Sequence, residues 1–98
     1  MICRAYNSFF RNFSSRSNLA IISLLRLAPM SVGAIAQGTG MEQSAVSHCL
    51  KNLQECSIVA VERKGKERLY SLNRKTVVPL LKLVEKHVSR NCKGCRHG

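Results

Sequence analysis

Residues Ser31 to Leu53 read SVGAIAQGTGMEQSAVSHCLKNL. Ser31 is an N-cap residue before the apolar positions Val32, Ile35 and Ala36, so a short helix is expected to begin there. The run stops at Gly38-Thr39-Gly40, where two glycines give the backbone the freedom a tight turn requires. A second helix is expected at once, over Glu42 to Glu55. Val46, Leu50 and Leu53 recur there at spacings of four and three, while Gln43, Ser44, Ser47, His48 and Lys51 lie on another face. One face is built to pack and the other to stay in water.

On the C-terminal side, Ile58-Val59-Ala60-Val61 and Leu69-Tyr70-Ser71-Leu72 read as strands. The connection between them, Glu62 to Arg68, is charged and has Gly65 at its centre, so a basic β-hairpin is expected. Asn73 or Thr76 then starts a helix to about Ser89, with Val77, Leu80, Leu81, Val84 and Val88 apolar. Pro79 is tolerable there because a first-turn N–H has no acceptor within the helix. On the N-terminal side, Ser15 or Ser17 caps a helix carrying Leu19, Ile22 and Leu25, or Ile21, Leu24 and Leu25, which Pro29 ends. Before it, Ala5 to Phe13 places Tyr6, Phe9, Phe10 and Phe13 on one helical stripe. The expected fold is mainly α with a small β-hairpin. Helix, glycine turn, second helix and basic hairpin make a winged helix-turn-helix, the arrangement in which the second helix enters a DNA major groove.

Composition agrees with that partner. The 98 residues carry 16 basic and 5 acidic side chains, a net charge of +11, and 45% of them are hydrophobic. That is one small folding domain with a surface that attracts polyanions. No Asp occurs and the five glutamates are dispersed, which leaves few candidates for paired-carboxylate catalysis and no Asp to orient a histidine base, so no enzyme is expected. The longest apolar stretch, Leu19 to Met30, is broken by Ser23 and Arg26 and is too short to span a bilayer. The acid-free N-terminal segment shares its composition with targeting peptides, but it is needed to complete the domain, and cytoplasmic residence follows. By chemistry, Gln43 suits bidentate pairing with adenine, Ser44, Ser47 and His48 suit base edges or phosphates, and Lys51 suits phosphate. Arg63, Lys64, Lys66 and Arg68 supply the wing. The bland alternative is a solvated polar helix face beside a soluble hairpin.

Together these motifs resemble the ArsR-type (arsenic-repressor-like) regulators over roughly residues 13–88. The family's recognition helix reads Gln-Ser-x-Val-Ser-His-x-Leu-x-x-Leu, matched from Gln43 to Leu53. Its basic turn and exit strand are similar to Arg63-Lys64-Gly65-Lys66 and Leu69-Tyr70-Ser71-Leu72. The resemblance implies a dimer joined through first and last helices and a repressor of transcription, released from DNA in many members by an effector. The residues independently call for a partner. The aromatic stripe and the Leu/Val stripe of the last helix exceed what a core of this size covers, so a homodimer is expected, with recognition helices about 34 Å apart on a roughly palindromic double-stranded site.

Residues 1–90 are thus expected to form the DNA-binding and dimerisation domain, and residues 91–98 a Cys/His-containing tail. The five cysteines are an odd set in a basic chain, which argues against a disulfide framework. Cys49 and Cys56 read as small buried apolar groups. Cys92 and Cys95, three apart and flanked by Lys93 and Arg96, suit a soft divalent metal such as zinc, or a disulfide. His97 is a third ligand, and Cys3 is the fourth if first and last helices pair. Two of the family's metal-site patterns are missing. Met30-Ser31-Val32-Gly33-Ala34 holds no cysteine, and the last helix offers only Glu85 and His87. Asn18 stands where the family commonly has an arginine. Two rival readings are a metal- or redox-handling protein working through the Cys92/Cys95 tail and a non-specific architectural DNA binder.

Overall fold

A computed structural model describes the chain over residues 2–91, with side chains from Ala5 onward. Five helices and one hairpin follow in the order α1 (Ile2–Ser14), α2 (Arg16–Leu25), α3 (Val32–Thr39), α4 (Gln43–Glu55), β1 (Val59–Lys64), β2 (Glu67–Leu72) and α5 (Val77–Asn91). This is the expected winged helix-turn-helix.

The helix starts follow their caps. Ser15 Oγ accepts from the Asn18 amide and Ser31 Oγ from the Ala34 amide, so of the two serines weighed for α2 it is Ser15 that caps it. Asn73 Oδ1 accepts from the amides of Lys75 and Thr76 and leads the chain into α5, while its Nδ2 donates to the Ser57 carbonyl. α2 ends at Leu25, before Pro29 is reached, because the chain turns there into an extended segment. Met30 and Tyr70 exchange both backbone hydrogen bonds, at 2.9 and 2.8 Å, which adds a one-residue bridge to β2.

The core sits where α2, α3, α4 and the base of the hairpin meet. Ile21, Ile35, Leu50, Leu53 and Ile58 are almost fully buried, each worth roughly 1.5–3 kcal/mol relative to exposure. Gly38 departs from the sequence expectation: it lies inside α3. A Cβ there would come within 2.6 Å of Leu24 Cδ2, so its role is close helix packing. The turn falls to Gly40, whose φ of 76° is the left-handed cap that ends α3.

α4 ends in a Schellman motif. The Ile58 amide donates to the Leu53 carbonyl and the Ser57 amide to that of Gln54, while Leu53 and Ile58 pack in the core. The left-handed residue is Ser57 with φ 59°, a place usually taken by glycine. The N-terminal helix runs three residues beyond the Ala5–Phe13 stripe on its upstream side and is tied down by amides. Asn12 Nδ2 donates to Cys56 Sγ, and the buried Asn18 donates through Nδ2 to the Asn12 carbonyl at 3.0 Å.

Candidate nucleic-acid interface

Val46, Leu50 and Leu53 point α4 into the core, and this fixes what faces outward. Gln43, Ser44, Ser47, His48 and Lys51 are all exposed on the outer side, in the helix that follows the Gly40 turn. Thr39 steadies that turn: its hydroxyl donates to the Ile35 carbonyl at 2.8 Å and accepts from the Met41 amide at 3.3 Å. The Glu42 side chain makes no capping hydrogen bond, so it leaves the first-turn amides of α4 without a side-chain acceptor at the N-cap. Helix N-termini of this kind favour phosphate oxygens.

The hairpin is longer and tighter than its sequence reading. Strand pairing runs on from Val59↔Leu72 through Arg63↔Arg68 to Lys64↔Glu67, so the expected charged loop is mostly strand and only Gly65 and Lys66 form the turn. Gly65 has φ 62° and Lys66 is not in the positive range, the pattern of a type II′ hairpin turn. The reason is physical: outside the core, strands extend for as long as cross-strand bonds and a compatible turn support them, whatever the charge of their side chains. Alternation puts Arg63 and Arg68 directly opposite each other on the face that Val59, Leu72 and Tyr70 bury further down. Two like charges at a cross-strand pair repel, and a polyanion beside them relieves the repulsion. Lys64 lies opposite Glu67, and Lys66 tops the turn.

Five polar side chains thus share one exposed helix face, and four basic ones lie exposed on the hairpin. Cys49 and Cys56 are half-buried free thiols packed against the core, and burial pushes the Cys49 thiol up. Cys92, Cys95 and His97 lie outside the described residues, as does the Cys3 side chain. Among the described residues no three His, Cys, Asp or Glu side chains gather closely enough to hold a metal ion. No helix among them is long and apolar enough to cross a membrane.

The family model for bacterial regulatory proteins of the arsR family matches residues 16–61, from the first turn of α2 into β1. The transcriptional repressor SdpR of Bacillus subtilis is 31% identical over 67 residues, which cover 68% of this chain and 74% of SdpR. The chain belongs to the arsR family. A further relative is the HTH-type transcriptional regulator NmtR of Mycobacterium tuberculosis, 39% identical over 74 residues. That match covers 76% of this chain but only 62% of NmtR, so the chain spans less than two thirds of that relative. In fold, this arsR-family chain superposes on the winged helix-turn-helix DNA-binding domain of Mb0332 from Mycobacterium bovis with a TM-score of 0.85. At 24% identity, 99% of this chain and 90% of that one are covered. That domain is described as homodimeric.

One group of side chains could not be found along the sequence. Arg26 at the end of α2, Arg74 before α5 and Lys82 within α5 meet around a single cavity, although 48 positions separate the first from the second and no motif links them.

Proposed function

We propose that the protein is a homodimeric, sequence-specific double-stranded DNA-binding transcriptional regulator that acts as a repressor. The observation that carries this reading is the exposed Gln43, Ser44, Ser47, His48 and Lys51 face of α4, together with the basic hairpin of Arg63, Lys64, Lys66 and Arg68, in an arsR-family chain. α4 lies in the major groove with Gln43 at an adenine edge, and the hairpin grips the flanking backbone. Dimerisation joins α1 to α5. Tyr6 and Phe10 are about three-fifths exposed and Leu83 two-thirds, which is apolar area that a second copy would cover. Residues 1–90 do this work in the cytoplasm, where the chromosome is, and no catalytic step is assigned to them.

Metal or redox control belongs to the tail, with Cys92, Cys95, His97 and Cys3 as the ligand set for zinc or another soft divalent ion. The support is their spacing and the donor chemistry of thiolates and imidazole. Substituting Cys92 and Cys95 by Ser is expected to abolish any metal- or oxidant-dependent loss of DNA affinity, while an unchanged response would remove the tail from the account. Selection from random duplexes by the purified, reduced protein tests the main reading. A palindromic winner is expected, and no enrichment would leave a non-specific binder driven by the +11 charge.

A further inference from the structure

The cavity of about 240 Å³ between the end of α2, the exit of β2 and the start of α5 is cationic. Arg26, Arg74 and Lys82 line it, with Ser71 on one wall and Leu72 and Val78 among its apolar lining. Arg74 stands in the turn before α5, while Val78 and Lys82 lie four apart on one side of the helix and Glu85 follows three positions on. Glu85 is the only carboxylate in that helix, and it is already paired with Arg26. Among the described residues no carboxylate pairs with Arg74 or Lys82. Three positive side chains therefore share a concave site with one negative partner. None of the α4 or hairpin residues assigned to DNA lines it.

We propose that this cavity binds a phosphate-type dianion of a small molecule, either inorganic phosphate or the phosphoryl group of a phosphomonoester. The guanidinium groups of Arg26 and Arg74 and the Lys82 ammonium donate to its oxygens, and the Ser71 hydroxyl supplies a neutral donor. Arg26 exchanges its exposed partner Glu85 for the anion. The exchange is cheap because a surface ion pair of this kind contributes little. An occupied site ties β2, which leads out of the wing, to the first turns of α5.

The test is an NMR titration of the full-length, reduced protein with sodium phosphate, set against sodium chloride at equal ionic strength. The expected result is saturable movement of the Ser71, Arg74, Val78 and Lys82 amides with phosphate alone. Arg74→Gln and Lys82→Gln, both at exposed positions, each weaken it roughly tenfold. Glu85→Gln, which frees Arg26, strengthens it, and Arg63→Gln in the wing leaves it unchanged. Equal movement with chloride, or full affinity in both the Arg74→Gln and Lys82→Gln proteins, overturns the proposal. Repeating the titration with a bound duplex separates a small-molecule phosphate site from a DNA-backbone contact, and a simple phosphomonoester run beside inorganic phosphate tells which of the two the site prefers. Retained binding is the expected outcome, whereas loss would assign these cations to the DNA backbone and also overturn it.

Discussion

Two residues carry backbone and packing demands that their chemistry makes testable. Ser57 holds the left-handed position of the Schellman motif, where a side chain costs roughly 1–2 kcal/mol that glycine avoids. Ser57→Gly is therefore expected to raise stability by about 0.5–1 kcal/mol in urea unfolding, after the greater chain entropy of glycine is deducted. Gly38 makes the opposite demand. Gly38→Ala pushes a methyl against Leu24 and is expected to destabilise by about 1 kcal/mol, although alanine is the better helix former. In a Leu24→Ala background the same change should turn neutral or stabilising, and a double-mutant cycle reads the difference. The sequence showed that Gly38 and Gly40 were special and could not divide their roles. Close approach to Leu24 is a tertiary fact, and only Gly40 has the positive φ that a turn residue needs.

Elements were legible where a local signal marked them. Ser31 before an apolar run, the Val46/Leu50/Leu53 seam and the Gly65 centre of the hairpin each name their structure, and the outward face of α4 follows once that seam is buried. Strand length was not legible, because residues 62–64 and 67–68 are charged and become strand only through pairing with each other. That pairing sharpens a prediction about the wing. Arg63 and Arg68 face the same way, so replacing both with Gln is expected to remove neighbouring phosphate contacts in each protomer of the proposed dimer. The slope of log affinity against log salt is expected to fall by between about 2 and 4 for a dimer, at roughly 0.9 per contact, with base preference kept. An unchanged slope would mean that Arg63 and Arg68 do not touch the DNA backbone.

At the scale of the whole molecule, the unsatisfied part of the fold is the apolar surface of α1 and α5. A groove of about 770 Å³ opens beside Tyr6, Phe9, Phe10 and Leu80, and Leu83 and Val84 stand exposed further along α5. The two stripes were visible in the sequence as a surplus. Which of their residues stay exposed was not, because that depends on how α1 docks through Asn12 and Asn18. Sedimentation is expected to give twice the 10.9 kDa chain mass, and Tyr6→Glu with Leu83→Glu to give monomers that lose DNA binding while keeping their helical content. In the proposed dimer, recognition of sequence falls to the α4 face. Its most direct test is the ratio of affinities for the selected duplex and a shuffled duplex of equal composition, at one fixed physiological salt concentration. The predicted ratio is at least roughly 10³, with two protomers bound per duplex and a tenfold or greater loss of preference at one base pair per half-site in Gln43→Ala. A ratio near one, unchanged by Gln43→Ala, would contradict it.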